Sequence, residues 1–229
     1  LIEHVSIGLN YIDTYHRSGL YPLKLPTGIG LEASGIIKEV GPNVSNFSVG
    51  DKSAYAGQPL GAYSTHRIYP IKNLVKVPDK LNNDLAVFTE PASVALHAYK
   101  LAGDDRKFDS VAIFGLGPIG ILLASWCKLN KISNVIGIDR NDNRIKNFSD
   151  LGFKNIINSK NEEIIPKMKK LTSGDGVEIA FECSGSEELL NNSVLSLKKS
   201  GKLVVLSNQT QASTLEREVL NKILRQEII

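Results

Sequence analysis

SVAIFGLGPIG, residues 110–120, followed by ILLASWCKLNKISN and then VIGID up to position 139, is the stretch that decides the fold. Val111 to Phe114 is an unbroken apolar run, the pattern of a strand covered on both faces of a parallel sheet. It ends at Gly115-Leu116-Gly117-Pro118-Ile119-Gly120, a GxGxxG. Beyond it Ile119, Leu122, Leu123 and Trp126 recur at the spacing of one helix face. A second apolar run, Val135 to Ile138, closes on Asp139. The order is strand, glycine turn, helix, strand, acid.

Each part of that order has a chemical reason in a dinucleotide site. Gly115 allows the tight turn, Gly117 leaves no Cβ between the backbone and a pyrophosphate, and Gly120 lets the helix pack close to the strand. The helix's free N–H groups and positive dipole end then face the phosphates, which makes the whole turn, Leu116, Pro118 and Ile119 included, a cofactor contact. At the tip of the second strand Asp139 can accept both ribose hydroxyls of adenosine and would repel a 2′-phosphate. NAD is therefore the expected cofactor. Arg140, next in sequence, could meet a 2′-phosphate and leaves NADP open, and Arg144 is expected near adenine.

Outward from this stretch, composition sets bounds. A chain of 229 residues, 42% hydrophobic and 22% charged, suits one or two globular domains. The net charge of +3 is too small to point to nucleic acid, and the densest basic group, Lys167, Lys169 and Lys170, reads as a solvated helix face. Cys127 and Cys183 have neither CxxC spacing nor a secretory context, so both are expected reduced and buried. No apolar run reaches membrane-spanning length and no signal peptide is visible, which leaves the cytoplasm as the default expectation.

Residues 1–84 have a β texture and read as a first domain. Ile36 to Val40, Ala54 to Ala56 and Tyr63 to Tyr69 are expected strands, broken by Gly, Pro, Asn and Asp. Leu85 to Leu101 has helical spacing and is expected to bridge into a second domain, 85–229. There the alternation continues: strand Asn155 to Asn158, helix Ile164 to Leu171, strand Gly176 to Glu182, helix Leu189 to Leu197, a tight turn at Gly201, strand Leu203 to Leu206 and a helix over Leu215 to Leu224. The fold class is α/β, a doubly wound parallel sheet behind a smaller β domain. The ends of its fourth and fifth strands bring Ser184, Gly185, Ser207 and Asn208 to where a dinucleotide lies.

A β domain followed by FGLGPIG resembles the medium-chain dehydrogenase/reductase superfamily over nearly the whole chain: a partial GroES-like catalytic domain, then a Rossmann domain. IGLNYIDTYHRSGLYP, LPTGIGLEASGIIKEVG and LGAYSTHRIYP are similar to its zinc-free quinone oxidoreductases. FTEPASVALHAYKLA, FECSGSEE and VLNKILRQE are similar to its zinc-dependent sorbitol and galactitol-phosphate dehydrogenases, and the changeover falls near Leu81 to Phe88. Where the zinc branch carries cysteine and histidine this chain has Asn10 and Leu31, in Gly30-Leu31-Glu32. An amide and an alkyl chain do not replace a thiolate and an imidazole, so no zinc is expected. Glu32 and Glu90 remain, read as a hydrogen-bonded pair or a helix-cap group. None of the four histidines has metal-ligand spacing. His97 is expected in the core and His66 exposed.

By this resemblance Asn10, Asp13 and Tyr15 are the catalytic candidates, polar groups that steady the oxygen of a quinone or enone as it gains charge. On the residues alone, Asp13 as a helix cap and Tyr15 as an edge-packing ring stay equally open. The resemblance implies an NAD(P)H-dependent oxidoreductase acting on a quinone, enone or related carbonyl. A polyol dehydrogenase of the sorbitol type, or a non-catalytic dinucleotide-binding or structural fragment, are the alternatives. The expected partner is a small molecule, with homo-oligomerisation at full length. The chain begins at Leu1, and only Glu227-Ile228-Ile229 extends toward a sixth strand. The expectation is thus a segment short at both ends, with an unpaired edge on its fifth strand and weak catalysis.

Overall fold

In a computed structural model, residues 1–103, 108–208, 214–226 and 228 are described. The chain divides into two compact units, Leu1–Ser93 and Val94–Ile229. Among the described residues no helix is long and apolar enough to cross a membrane.

In the first unit β1 (Ile2–Ile7), β2 (Glu32–Ile37), β3 (Lys52–Ala56), β4 (His66–Arg67) and β5 (Leu74–Lys76) form one antiparallel sheet in the order β4-β1-β2-β3-β5. Ile2, Ala33, Ile37, Phe47, Tyr55 and Tyr69 fill its core. Helix α1 (Tyr11–Ser18) follows β1, and α2 (Asn83–Ala86) follows β5. The strand expected over Ile36 to Val40 lies earlier, because the N–H groups of Lys38 and Glu39 turn back to the carbonyl of Leu1. Of Tyr63 to Tyr69, the sheet takes in His66 and Arg67 alone. Tyr63 instead donates its N–H to Ile29, and Ser64 turns back on Ala62.

The expected bridging helix is interrupted. Asn82 caps α2 by accepting the N–H of Leu85 at 2.8 Å, and a new helix, α3 (Thr89–Gly103), starts after it. Pro91 has no N–H to donate and fits a first turn, not a helix interior, so the chain restarts just ahead of it. The buried face of α3 is Ala95, Ala98 and Ala102. His97 lies off that face and is exposed, which corrects the expectation of a core histidine.

The second unit holds β6 (Ser110–Phe114), β7 (Asn134–Asp139), β8 (Asn155–Asn158), β9 (Val177–Glu182) and β10 (Leu197–Val205), in the order β10-β9-β6-β7-β8 and parallel throughout. Helices α4 (Pro118–Leu129), α5 (Asp142–Asp150), α6 (Ile164–Leu171), α7 (Glu187–Leu195) and α8 (Arg217–Gln226) alternate with them. Val111 and Ile113 enter one hydrophobic cluster while Ala112 and Phe114 enter another. That two-sided burial is why β6 reads as an unbroken apolar run. The sheet grows from β6 in both directions, so the chain reverses there, at the place where doubly wound folds take their ligands.

β10 begins earlier than the expected Leu203, with a register break between Leu197 and Lys202. Ser200, not Gly201, takes the left-handed backbone there, at φ +57°. A Cβ on Gly201 would stand 2.9 Å from the carbonyl oxygen of Lys198, so close approach is what calls for glycine. Among the described residues β10 bonds to β9 alone and forms the edge. Ile228 packs on the cluster that contains Phe114; Glu227 and Ile229, the rest of the expected extension, lie outside the described residues.

Candidate functional site

In the second unit the glycine turn leaves β6 at Gly115, whose φ is +97° and whose N–H donates to the carbonyl of Ile138 at 2.8 Å. Gly117 is the N-cap of α4, and Pro118 its first residue. The first intrahelical bond runs from Ile121 N–H to Gly117, so the N–H groups of Ile119 and Gly120 have no carbonyl within the helix. A Cβ on Gly120 would lie 2.0 Å from the Gly115 oxygen, which packs turn and helix together. Around Gly117 the space is open, the nearest atom to an added Cβ being the Arg144 guanidinium carbon at 4.0 Å. Open backbone, free N–H groups and a helix N-terminus are what a phosphate requires.

Asp139 is buried at the tip of β7. One carboxylate oxygen accepts the N–H groups of Arg140 at 2.7 Å and Asn141 at 2.8 Å. The other accepts Leu116 N–H at 2.8 Å and stands 3.6 Å from the Arg144 guanidinium. Arg140 is exposed beside it. Asp139 therefore keeps little free acceptor capacity, and Arg144 sits between it and the open side of Gly117.

The loops after β9 and β10 meet on a residue that sequence reasoning passed over. Glu182, fully buried, accepts the N–H groups of Ser184 at 2.7 Å and Gly185 at 3.2 Å, together with the hydroxyls of Ser184 and Ser207. The signal was available: GVEIAFE, like VIGID, is an apolar strand that ends in an acid. Burial pushes the thiol of Cys127 up to about 12. It also raises that of Cys183, which is part-exposed where full burial was expected, with the charge of Glu182 adding to the shift. Neither is a thiolate at neutral pH.

In the first unit Asn10 is the N-cap of α1, and Asp13 is the third residue of that helix. Asp13 is 2% exposed and accepts both the Asn10 N–H and the Tyr63 hydroxyl at 2.9 Å. Its second carboxylate oxygen is buried with no partner among the described residues. The Asn10 side-chain amide donates to Glu32 at 2.7 Å, and the other Glu32 oxygen accepts Glu90 N–H, near the start of α3, at 3.0 Å. Burial first, then the charges of Glu90 and Asp13, lift the Glu32 carboxyl to about 7 against these two hydrogen bonds. Burial likewise raises Glu90, with Asp13 adding. The phenol of Tyr63 is pushed up to about 12 by the burial of its hydroxyl end and by the Asp13 carboxylate it faces.

Asn10, Asp13, Glu32, Tyr63 and Glu90 thus form one polar cluster. Tyr15 stands apart from it, since residues two apart on a helix do not share a face. Its ring packs edge-on against Tyr21 at 5.4 Å. Tyr63, separated from Asp13 by 50 residues, carried no local signal. At the two positions where the zinc branch has ligands, the Asn10 amide donates a hydrogen bond and Leu31 is a buried alkyl chain. These donors do not fit a zinc ion. Among the described residues no group of three or more His, Cys, Asp or Glu could hold a metal ion.

Residues 1–79 match the family model for the alcohol dehydrogenase GroES-like domain, and residues 118–228 that for zinc-binding dehydrogenase. The chain is 31% identical over 199 residues to a 2-haloacrylate reductase of Burkholderia sp., covering 82% of this chain and 59% of the relative. It is 30% identical over 226 residues to sorbitol dehydrogenase 1 of Saccharomyces cerevisiae, covering 83% and 63%. Quinone oxidoreductase of Escherichia coli, solved in complex with NADPH, superposes with a TM-score of 0.81 at 28% identity, over 99% of this chain and 70% of that one. The chain spans about three fifths of the length of the curated relatives it matches. With a GroES-like unit ahead of a parallel Rossmann sheet, it belongs to the medium-chain dehydrogenase/reductase superfamily.

Proposed function

We propose that this chain serves an NAD(P)H-dependent oxidoreductase that reduces a quinone, an enone or a related carbonyl without zinc. The observation that carries the reading is the presence of an open glycine turn in the second unit together with, in the first, a polar cluster whose Asn10 amide and Leu31 alkyl chain are not zinc donors. A bound nicotinamide supplies the hydride. Within the turn Gly115 to Gly120, Ile119 and Gly120 offer backbone N–H groups to the phosphates, and Asp139 offers a remaining acceptor position to the adenosine ribose. Arg140 and Arg144 bring positive charge to the same end, and Ser184, Gly185 and Ser207 line the strand ends across the sheet.

On the substrate side Asn10 keeps one amide N–H beyond the one given to Glu32, and that donor suits an oxygen gaining negative charge. Asp13, buried and capping α1, holds Asn10 and Tyr63 in place and does not itself face that oxygen as a donor. Tyr15, off this face of α1 with its ring against Tyr21, is given no part in steadying that oxygen. Support comes also from the relatives named above, a reductase and an NADPH-bound quinone oxidoreductase among them.

The test is turnover of NADH or NADPH with a panel of quinones, enones and sorbitol, run on the chain and on its full reading frame, with elemental analysis for zinc. Quinone or enone reduction by a zinc-free protein is the expected result. One zinc per chain with sorbitol oxidation would overturn it in favour of the polyol reading, nucleotide binding without turnover would leave a non-catalytic dinucleotide-binding chain, and neither binding nor turnover a structural one.

A further inference from the structure

We infer that Glu182 is a positioning residue for the half of the cofactor that lies over β9 and β10, and that Ser184 and Ser207 act as its anchors. The inference rests on the dinucleotide reading above. Glu182 has no exposed surface, so it cannot touch a ligand directly. What it does is join loops. One oxygen accepts the backbone N–H groups of Ser184 and Gly185 and the Ser184 hydroxyl. The other accepts the hydroxyl of Ser207, 25 residues on, beyond the end of β10.

The contact extends to the glycine turn. A Cβ on Gly115 would stand 3.2 Å from the side chain and backbone nitrogen of Ser184, and one on Gly185 3.3 Å from the carbonyl oxygen of Asn208. The segments after β6, β9 and β10 therefore lie against one another, with a single buried carboxylate as the common acceptor for two of them. Asp139 does the equivalent on the other side of β6: it accepts the N–H groups of the two residues that follow β7, plus one from the glycine turn. Each mononucleotide half of the sheet thus has its own buried acid. A hydroxyl that donates its one proton to Glu182 has none to give a cofactor. Ser184 and Ser207 consequently shape the surface through their backbone, while Glu182 fixes it.

Because Asp139 belongs to the adenosine half and Glu182 to the other, the two halves respond separately to substitution. Glu182→Met, of similar length and without acceptors, is expected to weaken NADH at least about tenfold while ADP binding stays within about twofold. Glu182→Gln keeps an acceptor for the two N–H groups and an amide that the Ser207 hydroxyl can accept from, and is expected to restore most of the NADH affinity. In the Glu182→Met background, Ser184→Ala with Ser207→Ala should add nothing further.

Isothermal titration of NADH and of ADP against wild type and these variants decides the matter. Wild-type NADH affinity in Glu182→Met, or parallel loss of ADP and NADH, would overturn the inference while the cofactor reading stands. Wild type that binds neither ligand would overturn both. Should Glu182→Met fail to fold, the Ser184→Ala/Ser207→Ala pair carries the test: weaker NADH with unchanged ADP supports the tie, and unchanged NADH overturns it.

Discussion

The carboxylate of Asp139 accepts the N–H of Leu116 at 2.8 Å across 23 residues of chain, so the acid at the tip of β7 and the turn after β6 hold each other in place. A 2′-phosphate would have to approach that same buried charge. Its repulsion is worth at least about 1 kcal/mol, roughly tenfold in affinity. Wild type is therefore expected to bind NADH about tenfold more tightly than NADPH. Asp139→Asn should narrow that ratio and weaken both, since the turn loses a charged acceptor. Fluorescence titration with the two reduced cofactors reads this directly, and tighter NADPH in wild type would mean that Arg140 and Arg144 govern the choice.

Gly117 and Gly120 separate binding from folding. An added methyl at Gly117 meets nothing closer than 4.0 Å, whereas one at Gly120 lands 2.0 Å from the Gly115 oxygen. Gly117→Ala should leave the melting temperature unchanged and weaken NADH about tenfold or more. Gly120→Ala should cost about 1–3 kcal/mol of stability. Thermal melts paired with titrations distinguish the two, and equal melting temperatures would contradict the turn geometry.

Glu32 sets an alkaline limit. Its carboxyl rises from the ordinary 4.5 to about 7, so the folded state favours the neutral acid. The stability this gives is complete below pH 4.5 and is lost as pH rises through about 7, by an order of about 3 kcal/mol. Melting temperatures should fall between pH 5 and pH 8 in wild type and fall less in Glu32→Gln, which cannot ionise. Identical slopes for the two proteins would assign the pH dependence elsewhere.

His4 works in the opposite direction. Its ring nitrogens lie 2.6 Å from the Ser64 carbonyl oxygen and 3.0 Å from the Tyr55 hydroxyl. Burial, with Arg67 and His66 as nearby positive charges, lowers its pKa against the Ser64 hydrogen bond. The contribution is present above the ordinary value of 6.5 and is lost as pH falls below it, because the unfolded chain takes up the proton first. His4→Gln should flatten the acid side of the stability profile, and a histidine-specific NMR titration should find His4 titrating below the ordinary 6.5. A ring that titrates at or above that value would be the contrary result.

What was legible in the sequence was what is local. Val111 to Phe114 announced β6 because both faces are covered, and Gly115, Gly117 and Gly120 announced the turn because their spacing matches its geometry. Pro91 marks a helix start, a signal that the continuous apolar spacing from Leu85 onward masks. His97 adjoins the apolar run Val94-Ala95-Leu96, and periodicity locates a helix face only to within a residue or so. Tyr63 on Asp13 and Ser207 on Glu182 were beyond reach: each bond joins residues 25 or 50 positions apart. No period in a chain encodes which strand end will come to lie beside which.

The approach of Ser184 to Gly115 bears on how such a chain can change over generations. The 3.2 Å left for a side chain at position 115 is tighter than an ordinary contact, and the neighbouring loop is tethered beneath by Glu182. A substituent at 115 is resisted twice, by Ser184 and by the +97° φ of its own backbone, so altering the tether or the serine removes only the first obstacle. Position 115 is thus closed to a side chain whatever happens at 182 and 184, whereas those two are coupled to each other through the tether.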